Sequence, residues 1–547
     1  MNRFAHVIRH TAIATAIIAL PVSLPAQPAQ RRALVTAAET IVAADLMRDV
    51  GFLADDARSG RATGTPGFDA AAEYIAKTLR DLGIKPAGDS GTYFQHYTVT
   101  RAALDTVRTS ASIGDQSIAY GPDILVTSFV TQGERRGKVV YVGSGIRAPA
   151  LNIDPYASID VRGKWMLVHA GNALPDGITR QQLGTAGVDY TSALDEARSR
   201  GALGIISVPN GSTGSRWDGM RSRGTSSREL TPAVGRAYAA YPLPQIQVSM
   251  ATLQKLLVNG TTTAATIAVA DSTHKYPPAM ELEPELRVNI VASASTMRPY
   301  NVVAMIEGSD PRLRNEWISI ASHLDGAVGR GATASGDSIF NAADDNASGS
   351  AGNMAIARAL VKAPQSKRTI LLIWDSGEEV GLWGSRHLAY GPMAERIVAH
   401  INVDMIGRTK APGSNELGEN WLSGPGEVYL EGAGLMSTVL DSVTSRVSRD
   451  FSYARFIRRT NGNVDEFLYP RTDAAPYMER GIPYIGFQTG LHGDYHRQTD
   501  DITKFDSAKM EAVARMAFLT LWTLANEPAT PRMDKQLPPA LRWMAPR

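Results

Sequence analysis

The sequence predicts an α/β protein with a mostly parallel central sheet, helices on both faces of that sheet, and an inserted β-rich domain. Three observations support this fold class. Apolar runs of strand length alternate with amphipathic segments after residue 276, which is typical of parallel strands joined by helices. Another amphipathic helix is expected before residue 117. Between these regions the chain changes to short strand-like runs separated by Gly, Ser and Asp, which indicates a separate domain.

The first 26 residues have the order of a secretory signal peptide. Arg3 and Arg9 precede an apolar run over residues 11–24 that Pro21 interrupts, and small residues follow it. This run is too short and too interrupted to span a membrane. We therefore expect residues 1–26 to be cleaved, and the mature protein to be periplasmic or secreted without a stable membrane anchor.

The composition of the chain excludes several classes of protein. Cleavage after residue 26 removes two arginines and no acid, so the 56 Lys plus Arg and 54 Asp plus Glu of the full chain become equal in number. Phosphate binding requires a basic face, and we therefore expect no nucleic-acid partner. The chain has no cysteine, so any metal must be held by His, Asp and Glu.

Residues 27–117 are predicted to form the N-terminal part of the main domain. Phe68, Ile75 and Leu79 recur at helical spacing in "GTPGFDAAAEYIAKTLRDLG". Gly83 stands where the end of a helix favours a left-handed residue. We expect an amphipathic helix here, with an apolar face that packs on another part of the protein.

The rest of the chain is divided into an inserted domain over residues 118–275, the remainder of the main domain over 276–530, and a C-terminal tail over 531–547. In the main domain, "SGSAGNMAIARALVKA" is predicted to be a helix. Buried strands are expected in "NEWISIASHLD", "TILLIWD", "HINVDMIG" and "GIPYIGFQTG".

Potential metal ligands stand next to these strands and this helix. Active sites of open α/β sheets gather beyond the carboxyl ends of the strands, so side chains that follow different strands should meet there. The candidates offer the nitrogen and oxygen donors that Zn²⁺ accepts. They are His323, Asp345, Glu379, Asp404 and His496.

The stretch "LLIWDSGEEVGLWGS" places Glu378 and Glu379 side by side directly after a buried strand. An isolated pair of adjacent glutamates usually means only that one side chain faces water. This pair stands at the sheet edge where His and Asp residues are also expected, so we predict that a cation lies between its members and their neighbours.

Several motifs together resemble peptidase family M28, the co-catalytic zinc peptidases that include secreted aminopeptidases and the glutamate-carboxypeptidase group. The resemblance covers residues 300–500 and the N-terminal stretch "RATGTPGFDAAAEYIAKTLRDLGIKPAGDSGTYFQ". The inserted segment resembles a protease-associated domain. The resemblance implies the zinc-peptidase fold, two Zn²⁺ ions per chain and a peptide substrate. The motifs are "SHLD", "ADDNASG", "WDSGEEVGLWGS", "NVDMIG" and "GDYHRQTDD".

The resemblance also implies which residue binds which ion. Asp345 would bridge the two zinc ions, whereas the preceding Asp344 would not. His323 and Asp404 would complete one zinc site. The other site would be completed by Glu379 and His496.

Further roles follow from the same resemblance. Glu378 would be the general base that takes a proton from water and delivers it to the leaving amine. The Asp325 carboxylate would orient the imidazole of His323. Tyr495 would stabilise the oxyanion, and the peptide bond between Asp345 and Asn346 would be cis.

We expect an aminopeptidase, which cuts peptides at the N-terminus. The first alternative is a carboxypeptidase, which cuts them at the C-terminus. A carboxypeptidase of the glutamate-carboxypeptidase type would need an arginine cluster, and residues 455–481 offer both charge signs. A glutaminyl cyclase-like transferase and a non-catalytic binding protein are weaker alternatives. Known cyclases lack an inserted domain, and a binding protein would be expected to have lost ligands. The charged candidates in this segment are Arg455, Arg458, Arg459, Arg471, Asp465, Glu466 and Asp473.

Overall fold

The computed structural model describes residues 28–541 with several gaps. The predicted signal peptide, residues 1–26, lies outside the described residues. The described part contains a nine-stranded sheet, an eight-stranded sheet and a three-stranded sheet. The gaps are 129–131, 170–172, 185–188, 210–216, 218–220, 222–227, 231–242, 259–261, 274, 327–328, 330–331, 412, 414–420, 460–470 and 539–540.

The nine-stranded sheet is the core of the main domain, and the strands at its centre run parallel. Antiparallel strands flank this centre on both sides. This arrangement confirms the predicted α/β fold class. The sheet order is Lys85–Pro86, Tyr300–Ile306, Thr369–Asp375, Trp317–His323, Ile397–Val403, Tyr484–Gln488, Glu427–Glu431 and Arg455–Arg458, with Phe94–His96 paired to Tyr300–Ile306.

The central strands are buried on both faces, as continuous apolar runs in parallel sheets require. Every residue of Thr369–Asp375 is buried. Leu372 and Trp374 join the core cluster on one face, whereas Leu371 and Ile373 join the cluster on the other. This alternation follows from the two-residue period of a strand, and it requires helices on both sides of the sheet.

Helices cover both faces of the central sheet. Thr65 caps the predicted N-terminal helix, Pro66–Asp81, by accepting a hydrogen bond from the Phe68 N–H, and Gly83 follows with a φ of +70°. The prediction of this helix is confirmed. Helices that contribute to the larger core cluster are Pro28–Ala38, Ala43–Leu53, Pro66–Asp81, Gly349–Leu360, Ala433–Met436, Thr438–Asp450 and Ser507–Ala525. Two helices on the opposite face are Trp383–Ala389 and Ala475–Glu479.

The other two sheets lie between the N-terminal helices and the remainder of the main domain in the sequence. The mixed eight-stranded sheet has the order Gln116–Ile118, Ser110–Ile113, Met280–Ile290, Gly133–Tyr141, Trp165–Val168, Gly204–Ser207, Gln245–Val248 and Ile124–Ser128. The antiparallel three-stranded sheet consists of Arg228–Leu230, Val99–Leu104 and Ala292–Met297. Helices in this region are Arg180–Leu183, Ala193–Arg200, Met250–Leu256 and Ala264–Thr273.

The eight-stranded sheet extends beyond the predicted span of 118–275. The earliest of its strands in the sequence begins at Ser110. Its long strand, Met280–Ile290, lies after residue 275 and pairs with two of the other strands. The ends of the inserted segment are adjacent, because the Asp105 N–H donates to the Val291 carbonyl oxygen at 2.8 Å. One strand within this segment, Arg228–Leu230, pairs with Val99–Leu104 outside it. The sheet is therefore a single insertion with adjacent ends. Its identity as a protease-associated domain stays a prediction.

Among the described residues, no helix is both long enough and apolar enough to cross a bilayer.

Candidate metal centre

All five predicted ligands lie at the carboxyl edge of the central strands. His323 ends the strand Trp317–His323, and Asp404 directly follows Ile397–Val403. Glu379 lies in the turn after Thr369–Asp375, and His496 lies in the loop after Tyr484–Gln488. The structure therefore brings together the side chains that the strand-end rule selected.

Asp345 reaches the same place from an irregular turn that leads into a helix. The turn Ala343–Ser348 departs from helical geometry at Asp345 and Asn346, and the peptide bond between these two residues is cis. The resemblance implied this cis bond. The Asn346 side chain fixes the turn against the neighbouring strand end, because its Nδ2 donates to the Val403 carbonyl oxygen and its Oδ1 accepts from the Met405 N–H.

A glycine allows this helix to start close to the strand end. A Cβ atom on Gly349 would lie 2.2 Å from Asn346 Oδ1 and 2.3 Å from the Val403 carbonyl oxygen. A side chain at this position would therefore separate Asp345 from Asp404.

The ligands form two sets of three that share Asp345. His323 Nε2 lies 3.2 Å from Asp345 Oδ1 and 3.4 Å from Asp404 Oδ1. His496 Nε2 lies 3.1 Å from Asp345 Oδ2 and 3.1 Å from Glu379 Oε2. Within each set, the potential ligand atoms lie within 4.8 Å of one another. Each oxygen of Asp345 thus faces a different set.

The donor atoms fit a metal ion better than they fit one another. Glu379 Oε1 is buried and accepts no hydrogen bond in the described part of the chain. Burial raises the pKa of Glu379 to about 7, and it also raises the pKa of Glu378, because a carboxylate loses its hydration there. A divalent cation offsets this cost, and the nitrogen and oxygen donors suit zinc.

Glu378 lies beside the ligands but belongs to neither set that shares Asp345. It forms a separate cluster with His323 and Glu379, and it lines the pocket in front of the site. Its backbone N–H donates to Asp325 Oδ1 at 3.2 Å, which fixes the turn that carries both glutamates. Glu378 is thus placed beside the donor atoms without replacing one of them.

The structure corrects the predicted contact of Asp325. His323 Nδ1 donates to the backbone carbonyl oxygen of Asp325 at 2.9 Å rather than to its carboxylate. The carboxylate instead accepts the N–H of Glu378. The predicted contact was with this carboxylate, whereas the short "HLD" turn places the carbonyl oxygen within hydrogen-bond distance of Nδ1. The role of Asp325 stays a prediction.

Asp344, Asp500 and His492 support the turn that carries Asp345. Asp344 faces away from the ligands, as expected, because its Oδ1 accepts from the Gly407 N–H and its Oδ2 lies 3.1 Å from His492 Nε2. Asp500 accepts the N–H groups of Asp344 and Asp345. His492 and Asp500 were not selected from the sequence, although both lie in or beside the quoted loop around His496.

Arg61 was also missed, and it connects three loops around the site. Its side chain is fully buried, and its guanidinium donates to four backbone carbonyl oxygens. Nε donates to the Leu324 carbonyl oxygen, next to His323, at 2.9 Å. Nη1 and Nη2 donate to the carbonyl oxygens of Leu53, Asn341 and Ala342, and the last two shortly precede Asp345. The motif "RATGTPG" contains this arginine, but its partners lie far away in the sequence.

Tyr495 lies over one edge of the centre. Its ring stacks on His496 with centroids 3.7 Å apart, and its hydroxyl accepts a hydrogen bond from Arg471 Nη2 at 3.1 Å. Burial raises the pKa of this phenol, so the hydroxyl keeps its proton near neutral pH. Tyr495 can therefore donate a hydrogen bond into the pocket.

A pocket opens from the metal ligands toward the adjacent strands. It contains the space into which a bound substrate would extend. Its lining residues are Asp345, Glu378, Asn402, Asp404, Met405, Glu431, Arg471, Thr472, Gly486, Phe487, Gln488, Leu491 and Tyr495.

This fold, with two sets of potential metal ligands at its sheet edge, is that of a metallopeptidase. Residues 301–521 match the model of peptidase family M28, so the chain contains an M28 peptidase domain. The predicted resemblance to this family and the predicted enzyme class are confirmed.

Two relatives and one solved structure show how far the similarity extends. An aminopeptidase of Pseudomonas aeruginosa (strain UCBPP-PA14) is 24% identical over 507 residues, covering 87% of this chain and 78% of the relative. A probable zinc metalloprotease of Pyrenophora tritici-repentis is 28% identical over 257 residues, covering 42% of this chain and 58% of the relative. The structure of an aminopeptidase from Aneurinibacillus sp. strain AM-1 shares the fold, with a TM-score of 0.50 and 17% identity, over 94% of this chain and 99% of that chain.

Proposed function

We propose that this chain is a secreted aminopeptidase that binds two zinc ions and removes residues from the free N-terminus of peptides. The main support is the pair of ligand sets that share Asp345, since a carboxylate with one oxygen toward each set is what a two-metal site requires. The Pseudomonas relative is itself described as an aminopeptidase.

Zinc ions bound here would polarise the scissile carbonyl and lower the pKa of water. Glu378 lies next to this space and accepts the proton of the attacking water, then delivers it to the leaving amine. Tyr495, held by Arg471, donates a hydrogen bond to the oxygen that becomes negative. The reaction is amide hydrolysis without a covalent intermediate.

The charges around the pocket favour a free amine over a free carboxylate. Glu378, Asp404 and Glu431 line it, and Arg471 is the one arginine among its described lining residues. The other candidate arginines contact groups elsewhere: Arg455 binds Glu427, Arg458 binds Asp441, and Arg459 stacks over Trp421. An acid-specific carboxypeptidase would need several of them in the pocket. Asp473 is fully buried, and Asp465 and Glu466 lie outside the described residues.

Secretion is supported by the sequence of residues 1–26 alone. N-terminal sequencing of protein recovered from the periplasm or the medium tests it. A mature chain that begins near residue 27 is expected, and an intact Met1 would contradict the proposal.

The central experiment combines metal counting with substrate polarity. We expect two zinc ions per chain, loss of activity in chelator with recovery on adding zinc, and cleavage of a free dipeptide but not of its N-acetylated form. Full activity in chelator would exclude the metallopeptidase mechanism. Equal cleavage of the acetylated peptide would exclude the aminopeptidase.

A further inference from the structure

We propose that the pocket beside the metal centre selects peptides with a basic N-terminal residue, lysine or arginine, and that Glu431 is the residue that recognises it. This inference rests on the proposed aminopeptidase function, because only an aminopeptidase places the first side chain of its substrate in this pocket.

Three residues at one level of the sheet form the floor of the pocket. Asn402 pairs with Gly486 on the next strand, and Gly486 pairs with Glu431 on the strand beyond it. Directly paired residues point to the same face of a sheet. All three line the pocket, so the floor extends from the strand that carries Asp404 across two neighbouring strands.

Gly486 leaves the middle of this floor open. A Cβ atom at Gly486 would lie 3.2 Å from both the Cβ and the Oε2 of Glu431. Any larger residue would cover the carboxylate. Glu431 thus borders the pocket at a place where the neighbouring residue has no side chain.

A hydrogen bond from a neighbouring strand holds the Glu431 carboxylate in place. The side chain of Gln488, on the strand that also carries Gly486, donates a hydrogen bond to Glu431 Oε1. Glu431 is only 2% exposed. A carboxylate with so little access to water gains more from a cationic ligand than an exposed one does, because solvent screens the attraction less.

The distance from the metal ligands favours a long side chain. Neighbouring strands are about 4.8 Å apart, so the two strand spacings between Asp404 and Glu431 span roughly 10 Å. An α-amine held near Glu378 and Asp404 would leave a lysine or arginine side chain directed along the floor toward Glu431. Short side chains would not reach the carboxylate.

The test compares two p-nitroanilide substrates on the zinc-loaded full chain: lysine and norleucine, which have side chains of similar length but differ in charge. We expect kcat/KM for lysine to exceed that for norleucine by about tenfold or more, as expected for a desolvated charge pair. Glu431→Gln should lower this ratio by a similar factor. Glu427→Gln is the matched control, because Glu427 lies on the same strand but binds Arg455 outside the pocket, and it should leave the ratio unchanged.

Gly486→Ala gives a second variant that does not alter charge. It should lower kcat/KM for lysine more than for alanine p-nitroanilide, because the new methyl group narrows the way to Glu431. An equal or higher kcat/KM for norleucine in the wild-type protein would overturn the specificity inference while leaving the aminopeptidase proposal intact. If the zinc-loaded protein cleaves only N-blocked peptides, both proposals fail.

Discussion

Glu378 and Glu379 differ in what surrounds them, although they are adjacent in the chain. Glu379 Oε2 faces His496, and its Oε1 is buried without a hydrogen bond in the described structure. Glu378 lines the open pocket. The turn after the strand directs one carboxylate to the ligand set and the other to the substrate side.

Exchanging each glutamate for glutamine should separate these roles. Glu378→Gln keeps the size of the side chain but removes the proton acceptor, so both zinc ions should remain while kcat falls by roughly 10²–10⁴-fold. Glu379→Gln removes an anionic ligand, so zinc content and melting temperature should fall together with activity. Metal analysis, a rate assay and a thermal melt on both variants check this. Loss of zinc from Glu378→Gln would show that the assignment is reversed.

At the scale of elements, the strand Ile397–Val403 contains a buried histidine that the reaction does not use. His400 stacks on Tyr477 with ring centroids 3.8 Å apart, and its Nδ1 lies 2.9 Å from Ser319 Oγ. Burial lowers its pKa to about 3, since the charged ring would lose its hydration. The folded protein therefore keeps His400 neutral at pH values where an unfolded chain protonates it.

This difference predicts a dependence of stability on pH. Between pH 6.5 and about pH 3 the unfolded chain binds one proton more at His400 than the folded chain does, so its contribution is complete above pH 6.5 and is lost as the pH falls. The loss approaches about 1.4 kcal/mol per pH unit. His400→Phe keeps an aromatic ring next to Tyr477 and should flatten the curve of unfolding free energy against pH in this window.

Urea unfolding at pH 4.5, 5.5, 6.5 and 7.5 measures this effect. Other groups titrate in the same range, so the difference between the wild type and the variant isolates His400. Parallel curves for the wild type and His400→Phe would contradict the prediction.

The elements also show what could be predicted from the sequence. Every candidate ligand was selected because it follows an apolar strand or precedes a helix, and the carboxyl ends of parallel strands converge whatever the details of packing. The positions of Arg61 and Glu431 beside the site could not be predicted in this way, because they depend on partners brought together by the fold. The bonds of Arg61 reach residues 263 to 281 positions away, apart from a nearer one to Leu53. The atom by which Asp325 contacts His323, a backbone oxygen, could not be predicted, because spacing identifies a residue but not its orientation.

For the molecule as a whole, the eight-stranded sheet is an insertion between two paired strands. Leu104 pairs with Ala292, and the bond from Asp105 to Val291 closes the entry point. Among the described residues that line the pocket, none belongs to this insertion. Domains inserted near an active site often contribute its walls, and we predict that this insertion limits the access of long peptides to the active site.

Excision at this point tests that role. Replacing residues 106–290 with an Asn-Gly turn also removes Arg228–Leu230, which pairs with Val99–Leu104. The remaining strands, Val99–Leu104 and Ala292–Met297, should form a hairpin and leave a folded main domain that binds zinc and cleaves dipeptides. If the insertion forms a wall of the cleft, the shortened protein should cleave long peptides faster, relative to dipeptides, than the full chain does. Zinc content controls for folding, and an unchanged preference for peptide length would assign the insertion no part in access.

The four-carbonyl arrangement of Arg61 has a consequence for how the enzyme acquires its metal. Burial lowers the pKa of Arg61 to about 10, so the guanidinium stays charged at neutral pH. Its charge interacts with the carboxylates of Asp325, Asp500, Asp345 and Glu379. The positive charge of this arginine side chain reduces the repulsion among these carboxylates, whether or not a metal ion is bound. Small zinc domains fold only as they capture their ion. In this chain the buried arginine supplies part of the positive charge that the acids need, so we expect the main domain to fold first and to take up metal in a second step.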